Sequence, residues 1–303
     1  MLERFLVPLD TSEVSEHVLP YVELFAKKLG QPVHLLIVAD DGQVLQLAPQ
    51  NVSIRAIVEE RRATVAKYVK RMRERLETAG VTVTTEIAIG HVVDTILSTA
   101  NRRSVGMIAM ATHGRVGPER WFLGSVTDRV VRGATMPLFL VRPSAERTAP
   151  IASIERIILP LDGSLLAEAA IPHATFVAKT FDRPIVLVRT LDLTRLTLSS
   201  DPSVGDYPLP VELQETLRAD ATNYLEQTAA RIRESGLTVE RVFSFKQPGQ
   251  EIAHQAHDGP GALIVMSTHG RSGLGRTVLG SVADRVIRTA EAPVLLVRGV
   301  PQD

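Results

Sequence analysis

The chain contains no cysteine. Disulfides, thiolate metal sites and thiol nucleophiles are therefore excluded, and the composition fits a reducing, cytoplasmic setting. Neither sign of charge is in excess: Lys plus Arg is 34, Asp plus Glu is 34, and the formal net charge at pH 7 is zero. A balanced chain exerts no electrostatic pull on nucleic acid or on an anionic membrane, so neither is expected as a partner. No run approaches the roughly 18 apolar residues of a membrane helix. The opening MLERFLVPLD meets Pro8 and Asp10 at once, with no basic stretch leading into a long apolar core, and no signal peptide is expected. Two phosphate-binding patterns are missing as well. There is no G-x-x-x-x-G-K-[ST] loop and no G-x-G-x-x-G after the first apolar run. Nor does any pair of acids with a general-base partner stand out.

What is present is a sentence written twice. The segment MATHGRVGPERWFLGSVTDRVVR begins at Met110, and MSTHGRSGLGRTVLGSVADRVIR begins at Met266, an offset of 156 residues. Nearer the start, FLVPLDTSEVSEHVLPYVELFAKKL from Phe5 pairs with IILPLDGSLLAEAAIPHATFVAKTF from Ile157 at offset 152. A net insertion of four residues therefore lies after Asp192, in the Ser-, Pro- and Gly-rich DLTRLTLSSDPSVGDYPLP. At 303 residues the chain has room for two domains, and the repeat divides it accordingly. One domain is expected over residues 1–143 and another over 155–303. The small, polar, proline-bearing stretch 144–154 is expected as linker.

Each half alternates short apolar runs with stretches of helical spacing. In the first half the strands are RFLVPL, PVHLLIVA, VTVTTEIAI, VGMIAMA and PLFLVR. The helices between them are SEVSEHVLPYVELFAKKL, RRATVAKYVKRMRERLETA, VVDTILSTANRR and SVTDRVVRGA. Gly80 is expected to cap the second helix, and Pro20 and Pro172 to give a kink or an irregular turn in theirs. Short apolar strands separated by helices indicate a parallel sheet covered on both faces. Each half is thus read as a doubly wound α/β domain of five strands, and if their order runs 3-2-1-4-5, strands one and four are neighbours.

In such sheets ligands bind beyond the carboxyl ends of the strands, where the strand order reverses. The two most repeated motifs, the Asp10 turn and the T-H-G loop, meet there. Gly114 lets the backbone turn after strand four. Gly124 and Ser125 then open a helix whose first N–H groups lack partners and carry the positive end of the helix dipole. That is an anion site suited to phosphate. Gly270, Gly280 and Ser281 repeat it. The alternative is local: Ser125 with Asp128, and Ser281 with Asp284, nearly match a capping box. Asp10 and Asp162 likewise either cap the next helix or accept from a ribose hydroxyl or adenine amine. His113 and His269 read as loop-stabilising residues, Arg115 and Arg271 as phosphate ligands or solvated side chains, and Trp121 as packing or interface.

Taken together, the VPLD-S and LPLDGS starts, LLIVAD and VLVRTLD, GMIAMATHG and ALIVMSTHG, the G-S-V helix starts, and MPLFLVR with APVLLVR resemble the universal stress protein family over nearly the whole chain. The resemblance implies two tandem flavodoxin-like domains. It also implies a Gly-x2-Gly-x9-Gly-[Ser/Thr] motif for ATP. The second Gly falls on Gly114 and Gly270, the third on Gly124 and Gly280, and the Ser on Ser125 and Ser281. The first falls on Ala111 and Ser267, a departure in both halves that adds a Cβ and is expected to weaken or retain binding. By the same resemblance Pro8, Leu9, Asp10 and Val38 would contact the adenosine, with Met110, Arg115 and Val126 beside them. Pro160, Leu161, Asp162, Thr190, Met266, Arg271 and Val282 are the second set. Thr190 makes that pocket the more polar, and the insertion after Asp192 would lie near its mouth.

The expected ligand is ATP, AMP or ADP, with or without Mg. The expected role is that of a nucleotide-dependent sensor or interaction module, not an enzyme beyond slow ATP hydrolysis. Pairing through the last strand would be internal, with a further homodimer and an unidentified protein partner as options. The competing readings are a nucleotide-free scaffold or chaperone-like protein, motivated by Ala111 and Ser267, and an adenylating ligase. An S-G-G-x-D-S-type loop, which the ligase would need, is absent.

Overall fold

The computed structural model describes residues 2–39, 54–112, 123–143, 152–192, 209–268 and 279–299, with backbone alone for 54–62. The chain divides into two compact units, Met1–Ser153 and Ile154–Asp303.

In the first unit the elements are β1 Phe5–Leu9, α1 Glu13–Glu16, α2 Leu19–Leu29, β2 Val33–Ala39, α3 Ile54–Thr78, β3 Val83–Ile89, α4 Val92–Arg102, β4 Met107–Ala111, α5 Ser125–Gly133 and β5 Leu138–Val141. In the second they are β6 Arg156–Pro160, α6 Leu165–Glu168, α7 Ile171–Phe181, β7 Ile185–Thr190, α8 Val211–Arg233, β8 Val239–Ser244, α9 Pro248–His257, β9 Ala262–Ser267, α10 Ser281–Thr289 and β10 Val294–Val297. Within each unit the strands pair in the order expected: β3-β2-β1-β4-β5 and, in the second, β8-β7-β6-β9-β10. Every strand pair within a unit is parallel. Right-handed crossovers then send the helices after β1 and β2 to one face and those after β3 and β4 to the other. β4 and β9 are buried at every residue and β1 at all but Pro8, as a sheet covered on both faces requires. The edge strand β3 instead alternates and exposes Ile87 and Ile89.

The expected long first helix is two helices. Ser12 caps α1 by accepting from the Ser15 amide at 3.2 Å, and the chain turns at His17–Val18 before α2 begins. Pro20 sits in the first turn of α2, where its missing N–H would have had no partner. The second unit repeats the break with Ser164 and Pro172. At the end of α3 the Val81 amide bonds to the Leu76 carbonyl, closing the helix around Gly80.

The two cores use different chemistry in one frame. In the first unit Phe25 packs edge-on against Phe5 and Phe139, with ring centroids 6.5 and 5.2 Å apart. At the corresponding places the second unit buries Val177, Ile157 and Leu295. Aliphatic side chains fill the space that aromatics fill in the first, which conserves the fold without conserving the contacts.

Candidate functional site

β1 lies between β2 and β4, so the strand order reverses at the carboxyl end of β1. Phe5 is level with Met107 and Leu6 with Ile108. Continued along the strands, that register sets Leu9 beside Ala111 and brings Asp10 to the mouth of the crevice. Leu9 is level with Ile37, which puts Val38 next to Asp10 on the other side. In the second unit Ile157 is level with Leu263, so Leu161 meets Ser267, and Thr190 ends the neighbouring strand. Pro8, Leu9, Asp10, Val38, Met110 and Ala111 thus converge on one crevice, and Pro160, Leu161, Asp162, Thr190, Met266 and Ser267 on its repeat. Gly114, Arg115, Gly270 and Arg271 lie outside the described residues, as do His113, His269, Trp121 and the insertion after Asp192.

The far wall of each crevice is a helix start. Gly124 is the N-cap of α5 and Gly280 that of α10, and among the described residues neither helix start has a side-chain cap. This corrects the capping alternative. Ser125 and Ser281 are the first helical residues, and both are exposed. Asp128 and Asp284, the other halves of the supposed capping boxes, turn down their helices instead. Asp128 accepts from Arg132 through both oxygens at 2.9 and 3.0 Å, and Asp284 accepts from Arg288 at 2.9 and 3.0 Å. The first amides of α5 and α10, those of Ser125 and Val126 and of Ser281 and Val282, therefore face the crevice mouth at the positive end of their helices.

Backbone clamps fix these helix starts to the sheet. The Gly124 amide donates to the Thr112 carbonyl at 2.9 Å, and the Thr112 amide to the Val141 carbonyl at 2.9 Å. Gly280 and Thr268 repeat the pair, again at 2.9 Å, with Val297 in place of Val141. In the first unit the Thr127 hydroxyl adds a bond to the Ala111 carbonyl at 3.1 Å. The second unit has Ala283 there.

On the near wall, Asp10 and Asp162 each use Oδ1 to accept from the amide and hydroxyl of the serine two residues on. The amide bonds are 3.0 Å for Ser12 and 2.9 Å for Ser164. The serines, not the aspartates, cap the helices. The carboxylates hold the caps in place, which is the two-residue turn that aspartate forms readily. Ala111 and Ser267, the departures from the family's glycine, are 7% and 6% exposed. Their side chains are buried at the strand ends and leave the open mouth to the aspartates and helix starts.

The Universal stress protein family model matches residues 1–142 and, a second time, 153–298. The chain belongs to the universal stress protein family. A universal stress protein of Mycolicibacterium smegmatis is 31% identical over 227 residues, covering 73% of this chain and 71% of the relative. One from Methanocaldococcus jannaschii is 33% identical over 144 residues, covering 48% of this chain and 82% of its own. The crystal structure of a universal stress protein from Archaeoglobus fulgidus superposes with a TM-score of 0.72 at 20% identity, covering 100% of this chain and 98% of that one. That likeness shows the fold.

This universal stress protein also has features around its crevices that the motifs do not announce. In both units the long helix holds the short helix behind the aspartate turn. The Tyr224 hydroxyl donates to Glu168 at 2.8 Å, and Arg231 reaches the other Glu168 oxygen at 3.4 Å. In the first unit Arg71 pairs with Glu16 at 3.1 Å and lies 5.3 Å from the Tyr68 ring centre. Burial, followed by the neighbouring glutamate, pushes both tyrosine hydroxyls far above their ordinary range, so they stay protonated. The repeat could have found these: Tyr68 and Tyr224, and Glu16 and Glu168, are matched pairs in the sequence. Among the described residues no helix is long and apolar enough to cross a membrane.

Proposed function

We propose that each unit binds an adenine nucleotide across its crevice, with phosphates at the amino end of α5 or α10 and the nucleoside end toward β1–β2 or β6–β7. The observation that carries this is the pair of helix starts capped by glycine alone, Gly124 and Gly280, with exposed Ser125 and Ser281 beside them. First-turn amides with no side-chain cap, at the positive end of a dipole, favour an anion, and the serine hydroxyls can donate to a phosphate oxygen. Asp10 and Asp162 stand at the opposite wall, and their carboxylates supply acceptors for ribose hydroxyls. The buried side chains of Ala111 and Ser267 are compatible with this placement. Among the described residues no group of three or more acidic or histidine side chains gathers to hold a metal, and Mg would enter on the phosphates.

Among the described residues the sites offer binding groups and no nucleophile with an adjacent base, and the role we infer is that of a nucleotide-dependent sensor or interaction module. Calorimetry of the purified chain with ATP and AMP tests it. Heat that saturates at micromolar to millimolar nucleotide is expected, and none at millimolar concentration would reject the reading. A nucleotide-free scaffold draws support from the absence of the family's first glycine in both halves. Mass spectrometry of small molecules released on denaturation separates the two readings.

A further inference from the structure

The two crevices share a frame but differ behind the aspartate turn. In the second unit the residue after Asp162 is Gly163, at φ +84°. A Cβ built there would lie 2.9 Å from one guanidinium nitrogen of Arg189 and 3.2 Å from the other. Arg189 comes from β7, is 9% exposed, and lies 4.5 Å from the centre of the Tyr224 ring. Tyr224 is the residue that holds Glu168 and hence the short helix α6. Gly163, Arg189, Tyr224 and Glu168 form one continuous support under the Asp162–Ser164 turn.

The first unit replaces both upper members. Thr11 stands where Gly163 does, and Ile37 where Arg189 does. Thr11 nonetheless takes the same left-handed backbone, at φ +68°, which a β-branched residue adopts only with strain. The exchange is concerted. A side chain at the turn would require the guanidinium to shift, and the guanidinium occupies the space that the missing side chain vacates.

We propose that Arg189 is a positioning residue that makes the second crevice the tighter nucleotide site, so that the chain fills in order, second unit first. The proposal rests on the nucleotide-binding reading above. The turn that presents Asp162 and Ser164 is unstrained and buttressed before ligand arrives, which lowers the ordering cost of binding. The hydroxyl tie from Thr127 to Ala111, present in the first unit alone, opposes this. It is a single neutral hydrogen bond set against a buttressed turn and a relieved backbone.

The test is titration of the full-length chain with ATP by calorimetry. Wild type is expected to show two classes of site, roughly tenfold apart, as about 1.4 kcal/mol of differential binding gives. Asp162→Ala should remove the tighter class and Asp10→Ala the weaker. Arg189→Ile should bring the two within about threefold. Joined to Gly163→Thr, which installs the first unit's pair, it should make them indistinguishable. Arg189→Met keeps the aliphatic length against Tyr224 and should also narrow the gap if Arg189→Ile does not fold. Loss of the tighter class in Asp10→Ala would overturn the proposal. So would an Arg189 variant, folded by its thermal transition, in which the two classes stay as far apart as in wild type. No heat in wild type would instead sink the nucleotide reading itself.

Discussion

Gly106 precedes β4 and has no positive φ, so its size alone explains its presence. Its amide donates to the carbonyls of Glu3 and Arg4, which draws the two chain segments together just ahead of β1 and β4. A Cβ on Gly106 would lie 2.6 Å from the Glu3 carbonyl oxygen, closer still to the Glu3 amide nitrogen, and 3.1 Å from the Leu2 carbonyl carbon. Ordinary carbon contacts are about 3.5–4.0 Å, so the segment would have to retreat by about an ångström. The obstacles are backbone, which cannot rotate aside as a side-chain tip can. Overpacking of this kind costs about 1–3 kcal/mol, and because the atoms met are backbone, Gly106→Ala falls at the upper end, about 3 kcal/mol. For a unit of this size each kcal/mol moves the midpoint by about 2–4 °C, so the first unit's transition should fall by about 6–12 °C. The second unit provides the control. Its matching residue is Ala262, buried in β9, and Ala262→Gly should lower that unit's transition by only about 1–4 °C, the ordinary cost of glycine in a strand. Differential scanning calorimetry of the two variants reads both numbers. A drop below about 2 °C for Gly106→Ala would refute the claim that this glycine permits a close approach.

Three other outcomes are expected. Ser125→Glu with Ser281→Glu should lower ATP affinity at least tenfold by calorimetry, yet leave the thermal midpoint unchanged or slightly higher, because a carboxylate at a helix start is worth about 0.3–1 kcal/mol; unchanged affinity would place the phosphates elsewhere. Tyr224→Phe removes the bond to Glu168 and should cost about 1 kcal/mol, read as a midpoint about 2–4 °C lower in the second unit. His34, 1% exposed, faces the Thr84 hydroxyl at 2.8 Å and Glu86 at 3.3 Å, and Glu86 is held in turn by Arg102 and Arg103. Burial, and then the charge of Arg103, keep its imidazole below the ordinary value of about 6.5, and burial does the same for His173. The unfolded chain therefore takes up protons first as pH falls. Stability should be full above about pH 6.5 and decline below it, and His34→Val, the residue type of the second unit at Val186, should remove His34's share of that slope in urea titrations at several pH values.

The repeat made the two units, the strand order and the crevice legible, because a period of that length carries a whole domain in each copy. Particular atoms were harder. Asp10 and Ser12 both suit a helix start, and only coordinates show that the serine caps while the aspartate holds it. Ser125 and Asp128 have the spacing of a capping box, yet the helix begins one residue earlier than that pattern needs, at Ser125, with Gly124 as its cap. Arg189 gave no signal at all, since its counterpart is Ile37 and its importance lies in reaching a glycine across the sheet. Aromatic packing around Phe25 could not be inferred from the second half, where Val177 does the same work with different shape.

The clamp between Thr112 and Gly124, and its copy between Thr268 and Gly280, has a consequence for how such a protein diversifies. Because each helix start is tied to its strand by a backbone hydrogen bond, the intervening sequence can be rewritten without disturbing either anchor. RVGPERWFL and RSGLGRTVL show this freedom within one chain. Each clamp is a socket for exchange, where a foreign peptide spliced in place of the native segment would inherit a fixed base.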